Sequence, residues 1–438
     1  MSPLPVDITP ATTRARAAAR VLAGASGADK DRALLAVATA LGERAGEILR
    51  ANDEDVARAR AEGVPGHVLA PLVLDGERLR ALTDSVRSVS HLPDPVGRVL
   101  DGHLGDSGLS VRRITVPLGV VGLVSQGRPD VTVAAVAVCL KAGNALLLHG
   151  GPAAEGTTTV LLRLIRDALG ASELPADCVQ GLDPLGAGAV DALVCARGGV
   201  DVVVPSGDAD MVRGLAQRAT VPVLETAVGR CHLFVDADAD LGRAEEIVLD
   251  STVGHVGAGI AVGTLLVHRD IAEAFLTAVL TRLTTAGVTV RVDVAAAQIA
   301  GCCEALDRSQ VMVATEEDGG GDDPSRGLTV RVVEDLDAAL RHIRLGSSGH
   351  TEAICTSSLV SARRFAAEVD AAVVLVNAST RTADGARWGM GAQIGTSTSR
   401  TQARGPLGVE QMTTSTWVVE DTGGATTRRG VGRTTRTP

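Results

Sequence analysis

The chain has 438 residues, 45% of them hydrophobic, which is room for two or more core-bearing units of a globular protein. Its net charge of −10, with acids and bases interspersed, argues against nucleic acid or an anionic membrane as the main partner. Aromatic residues are almost absent (no Tyr, three Phe, two Trp), so Ala, Val and Leu must fill the core through many small contacts.

Residues 12–62 read as helical, since Ala, Leu and Arg dominate, apolar positions recur every three or four residues and no Pro interrupts. Val120 to Val124 is a short apolar run, a buried strand. Val131 to Ala142 reads as a helix with Asp130 as its N-cap, and Asn144 to Leu148 as the next strand. A helix over Gly156 to Leu169 and a strand over Val200 to Val204, ending at Pro205, follow. The alternation resumes with a strand at His232 to Asp236, a helix at Leu241 to Asp250, a strand at Thr264 to His268 and a helix at Ile271 to Thr284. Strands alternating with helices of this length predict an α/β fold with parallel, doubly wound sheets. Val111 to Val116 and Thr413 to Val419 have alternating, β-rich composition. Gly319 to Asp323 is a loop, and residues 422–438, with Arg428, Arg429, Arg433 and Arg436, read as a disordered basic tail.

No run of about 18 apolar residues occurs, and the start MSPLPVDITP lacks a basic-then-apolar leader, so a cytoplasmic location is expected. Seven cysteines without framework spacing suit reduced thiols. The pair Cys302-Cys303 reads as small buried residues, and no metal site is expected.

Several blocks, in order and spacing, carry a resemblance that runs from about residue 15 to about residue 420. They are Val116 to Gly122, Arg128 to Val133, Cys139 to Asn144, Ala219 to Thr226, Val376 to Arg381 and Ala403 to Gly408. The chain resembles the gamma-glutamyl phosphate reductases, a branch of the aldehyde dehydrogenase superfamily. The resemblance implies an aldehyde dehydrogenase-like fold of two doubly wound α/β domains plus a β-hairpin oligomerisation flap. It divides the chain into a cofactor-binding-type domain (1–111 and 119–229), a catalytic-type domain (230–398) and the flap (112–118 and 399–421). It also implies a homo-oligomer, a small-molecule substrate and NADP(H) as cofactor. The implied reaction is NADPH-dependent reduction of L-glutamate 5-phosphate to the 5-semialdehyde and phosphate, a step of proline biosynthesis.

The family's nucleophile loop reads roughly Q-R-P-x-x-C-N-A-x-E-T-L-L-V-H. Aligned on Thr264 to His268, it puts Gly259 where the catalytic cysteine stands and His255 at the loop arginine. Glycine cannot form a thioester, and Ser251 or Thr252 would give only an ester. The family's oxyanion-site asparagine corresponds to Asp130, which as an ion has no donor. Glu225 matches a superfamily glutamate that serves as base in thioester hydrolysis, or makes only a loop contact. For the cofactor, Lys141 matches a lysine expected near the ribose, with a surface lysine as the alternative. His149, before Gly150 and Gly151, stands at a strand-end arginine, and Pro205-Ser206-Gly207-Asp208 replaces P-R-G-G with an acid in place of a cation. On the substrate side Thr315 to Asp318 matches T-E-x-D, and Arg128, His350, Asn377 and Arg381 remain. Arg128 and Arg381 suit bidentate grip of a carboxylate or phosphate, or equally structural ion pairs. These departures predict impaired catalysis and weakened cofactor binding, with glutamate kinase or an active reductase as a partner. An active oxidoreductase with an unconventional thiol, and a regulatory binding subunit, are the alternatives.

Overall fold

The computed structural model describes residues 6–105, 109–226, 229–253, 260–302, 308–313 and 327–421, without the side chains of 67, 68, 302 and 308. The predicted helical stretch is three helices, α1 (Thr9–Gly24), α2 (Gly27–Glu43) and α3 (Ala45–Ala61). Ser26 sets the first break, because it and Asp29 form a reciprocal capping box at the start of α2. The turn α4 (Gly66–Leu69) and α5 (Gly76–Ser90), capped by Asp75, complete this layer.

Two strands of a separate sheet follow, β1 (Val99–Leu104) and β2 (Leu109–Pro117). The first α/β unit then runs β3 (Val120–Ser125), α6 (Pro129–Lys141), β4 (Ala145–His149), α7 (Glu155–Ala171), β5 (Val179–Gly181), α8 (Gly188–Val194), β6 (Val202–Ser206) and α9 (Ala209–Arg218). Its sheet is parallel with order β5-β4-β3-β6. Val121, Leu123, Leu146 and Leu148 enter one apolar cluster, and Val120, Val124, Ala145 and Leu147 another. Both faces are covered, so these strands read as unbroken apolar runs. Pro205 does not end its strand as expected. It lies in β6, opposite Val124, with its carbonyl turned away from β3 to the Thr226 hydroxyl. Its missing N–H falls on that outer side, where the β3 ladder needs no donor.

The second unit comprises β7 (Cys231–Val235), α10 (Leu241–Thr252), β8 (Val262–His268), α11 (Arg269–Thr285), β9 (Val290–Val292), α12 (Val294–Cys302), β10 (Val311–Val313), β11 (Leu328–Val333), α13 (Leu336–Gly346), β12 (Thr351–Cys355), α14 (Leu359–Glu368) and β13 (Val373–Val376). The parallel order is β10-β9-β11-β8-β7-β12-β13, again with an apolar cluster on each face. The chain then returns to the first unit. Ala392, Ile394, Ala403 and Leu407 join its core, around the short strands β14 (Thr396–Ser397) and β15 (Gly405–Pro406).

Finally β16 (Thr413–Asp421) pairs antiparallel with β2 along its length; the composition suggested two strands and the resemblance that they share a flap. The third strand, β1, was not anticipated, and every residue of it is exposed. Among the described residues no helix is long and apolar enough to cross a membrane.

Lys141 requires a correction. It ends α6 at the edge where β4 begins, opposite the strand ends that carry His149 and Ser206. It is neither a ribose ligand nor a surface lysine, being fully buried and donating to the Asp31 carboxylate and, at 3.0 Å, to the Ser90 carbonyl. Removing a buried charge partner leaves polar groups unsatisfied. Lys141→Ala should therefore destabilise the fold by about 2 kcal/mol in denaturant titration while leaving dinucleotide affinity unchanged.

Candidate active site

From β3 the chain moves through α6 to β4 on one side, and later returns to β6 on the other. In open α/β sheets such a reversal opens a ligand crevice beyond the carboxyl ends of the strands. Three loops meet at that edge here, after β3, β4 and β6.

The loop after β6 is closed by its own acid. Asp208 caps α9 by accepting from Met211 N, and its other oxygen takes the Gln126 side-chain amide at 2.7 Å. Gln126 Oε1 in turn accepts from Asp208 N at 2.8 Å, so the loops after β3 and β6 are clasped together. Ser206 accepts from Gln126 N through its carbonyl. Gly207 is needed for this approach, since a Cβ there would stand 2.5 Å from Gln126 Oε1.

The loop after β4 is filled likewise. Gly150 N and Gly151 N donate to Asp183 Oδ1 at 2.9 and 3.0 Å. Gly151 has φ +86 and a Cβ there would meet Ser125 O at 2.8 Å, so only glycine suits the position. His149 Nδ1 lies 3.9 Å from the same Asp183 oxygen, and Asp183 Oδ2 is buried without a hydrogen-bond partner. At the start of α7, Gly156 N and Thr157 N donate to Asp55, a carboxylate only 1% exposed. Free N–H groups at helix N-termini are the ordinary grip on phosphate. Here Asp55, Asp183 and Asp208 engage them.

Asp130 is not an N-cap. The helix begins at Pro129 with Arg128 in the cap position, and Asp130 sits in the first turn. Its carboxylate holds the Arg128 guanidinium through contacts of 2.6 and 3.3 Å. An oxyanion placed there would meet an acceptor instead of a donor, and the arginine beside it is already paired.

In the second unit, Asn377 follows β13 with φ +52, and its side chain brackets Thr356 through both backbone groups. Arg381 Nη1 reaches the Asp250 carbonyl and carboxylate and the Val253 carbonyl, at the end of α10. His350 does not join them. It precedes β12, whose first residue pairs with the first of β13, so it lies at the opposite edge from Asn377, roughly 16 Å away along the strands. It is buried against the Thr351 hydroxyl. Glu225 is exposed beside residues 397–399, tied only by its backbone to Ser399 and Thr398. Gly259, His255, Thr315 to Asp318, Cys303, Gly319 to Asp323 and the basic tail lie outside the described residues.

The aldehyde dehydrogenase family profile matches residues 5–311. The gamma-glutamyl phosphate reductase of Thermobifida fusca is 45% identical over 423 residues, 97% of this chain and 99% of that relative. The one from Kineococcus radiotolerans is 44% identical over 409 residues, 93% of each chain. The crystal structure of the Thermotoga maritima gamma-glutamyl phosphate reductase matches with TM-score 0.87 and 36% identity, over 94% of this chain and 98% of that one. This chain belongs to the gamma-glutamyl phosphate reductase family.

Within that family frame, the thiols with described side chains and the Ser251 hydroxyl are poorly placed as nucleophiles. Burial pushes the Cys139, Cys178 and Cys355 thiols up to about 12, and the Cys231 thiol well above its usual range with Glu352 adding to the effect. The thiolate is the nucleophile, so these groups are inert near neutral pH. Cys195 is exposed but ends α8, before β6 begins, at the edge away from the crevice. Ser251 is buried and bonded to Ser379 Oγ and Thr380 N. Gln126, Asp183 and Asp55 escaped the sequence reading because nothing local marks them.

Burial lowers His350 to about 4, so it is neutral in the fold. The unfolded chain binds a proton there below about pH 6.5. Stability should therefore fall as pH drops from about 6.5 to 4, by roughly 3 kcal/mol from this group. Denaturation across that range should show a flatter slope for His350→Gln, and an unchanged slope would contradict the assignment.

Proposed function

We propose that this chain is a gamma-glutamyl phosphate reductase homologue that keeps the scaffold and has lost the acyl-transfer chemistry. Gly259 at the nucleophile position carries this reading. The family reaction needs a thiolate to displace phosphate from L-glutamate 5-phosphate, and the resulting thioester to accept hydride. Glycine offers neither atom. Among the five cysteines with described side chains none is a substitute, because four are buried with raised thiols and Cys195 stands at the wrong edge of its sheet.

Other positions support the same reading. A preorganised donor at the oxyanion is worth about 10²–10³ in rate, and Asp130 supplies a negative charge there. NADP(H) is the family's cofactor, and its binding here is weakened because Asp183 and Asp208 engage backbone amides at the crevice. In this assignment 1–111 and 119–229 are the cofactor-binding-type domain, 230–398 the catalytic-type domain, and 112–118 with 399–421 the flap. The exposed side chains of Val99, Leu104, Trp417 and Val419 fit a homo-oligomer joined through that flap. A cytoplasmic scaffold of this kind would act on proline biosynthesis by binding an active reductase or glutamate kinase. The second reading is an active NADP-dependent oxidoreductase, favoured by the relatives' shared description at 44–45% identity.

The deciding assay is NADPH formation from glutamate 5-semialdehyde, phosphate and NADP+ by the purified, folded protein. The expected result is no signal above background, with a known reductase as control. Alkylation-sensitive turnover would overturn the reading by showing that another cysteine reaches the site. Gly259→Cys alone should stay near background, and adding Asp130→Asn should raise the rate about 10²-fold over the single variant.

A further inference from the structure

The loop after β4 is met by a cation that its own sequence does not supply. Where a βαβ unit binds a dinucleotide, the end of its second strand meets the adenosine ribose. An acid there takes the free 2′-hydroxyl, whereas a nearby arginine takes the 2′-phosphate. In this chain β3, α6 and β4 form that unit, so the position is His149 to Pro152. The loop offers no cation of the required kind, since His149 is buried beside Asp183, and Gly150, Gly151 and Pro152 carry no charge.

Two charged side chains reach the loop from elsewhere. Asp183 comes from below, 8% exposed at its side chain, with Oδ1 held by the two glycine amides. It presents no open face to a ribose hydroxyl. Arg58 comes across from α3, with Nη2 3.1 Å from the Pro152 carbonyl and 2.6 Å from Asp55 Oδ1. Its side chain is 46% exposed. Among the described residues, its Nε and Nη1 carry no hydrogen bond. Asp55 does not depend on Arg58, because Gly156 N, Thr157 N and Thr157 Oγ1 also donate to it. The guanidinium is thus fixed at one nitrogen and open at two, and its planar fork suits phosphate.

We infer that Arg58 is the specificity residue for the adenosine 2′-phosphate, so that the crevice selects NADPH over NADH through this residue. The inference rests on the reading that this edge still takes a dinucleotide, and is independent of whether any thioester chemistry survives.

The test is equilibrium binding, by calorimetric titration of the full chain with NADPH and with NADH. Adenosine 2′,5′-bisphosphate against AMP isolates the ribose end. The 2′-phosphorylated ligand of each pair should bind about tenfold more tightly, with the gap narrowing as salt is raised. Arg58→Ala should abolish that gap by weakening the phosphorylated ligand alone. Arg58→Gln, a shorter polar side chain without the charge, should abolish it too, while Arg58→Lys retains part. Equal affinities in the unmodified chain, a preference for NADH, equal loss of both ligands in Arg58→Ala, or no binding of any of them would each overturn the inference. The last result would leave the catalytic-loss reading standing, because that reading is decided by turnover.

Discussion

The carboxylates at the crevice edge of the four-stranded sheet set what the rest of this site can do. A turn of free backbone N–H groups is a binding site for any anion that fits, and it costs the fold little to leave such groups facing water. Once a side-chain carboxylate of the same chain accepts from them, a ligand phosphate must displace a partner already held in place. Asp183 on Gly150 and Gly151, Asp55 on Gly156 and Thr157, and Asp208 on Met211 each impose that competition. The contacts also stiffen the loops, and the Gln126–Asp208 clasp fixes the distance between two of them. Affinity for a phosphorylated ligand then shifts from the backbone toward whichever cations reach the crevice.

The departures from the family pattern differ in kind. Those at the cofactor edge change a balance of charges, which a ligand of higher concentration or a different cation can offset. On the proposed reading, Gly259 removes an atom on which the chemistry depends, and no change in concentration offsets that. Asp130 lies between these cases. Its charge is partly neutralised by Arg128, yet the pair still offers no donor in the place where negative charge would develop. On that reading a single substitution does not rebuild the site, since nucleophile, oxyanion donor and cofactor contacts each act only when the others are in place.

Much of the fold was legible because the doubly wound architecture writes itself into the chain as apolar runs alternating with amphipathic helices. The strands around Val120, Leu146 and Thr264 follow from that pattern, whereas the pairing of residues 111–116 with 413–419 was implied only by the resemblance. The β6 strand was cut short at Pro205 because a proline breaks a central strand, and only the sheet order shows that its N–H side is free. The site was less legible, since its contacts join residues far apart. Asp55 meets Gly156 across 101 positions, Gln126 meets Asp208 across 82, and Asp183 meets Gly150 across 33. Lys141 misled for the same reason. A resemblance assigns a residue type to a place, but the buried partner Asp31, 110 positions away, decides what that lysine does.

These long-range contacts divide the molecule by edge. Lys141 with Asp31 and Ser90 lies where β4 begins, and His350 lies where β12 begins. The buried Glu352 carboxylate, which accepts from both His232 N and Nδ1, sits at the same end of the second sheet. Breaking such buried pairs is costly, because the group left behind stays charged or unsatisfied away from water. At the carboxyl ends of β3 and β6, by contrast, the Arg128–Asp130 pair and the Gln126–Asp208 clasp are partly exposed and cost little to exchange, while Asp55 and Asp183 beside them are buried. The crevice end thus mixes exchangeable surface pairs with buried carboxylates that the fold depends on. Changes confined to the exposed pairs leave the buried ones intact, which is the physical condition for a fold to tolerate change at its crevice loops.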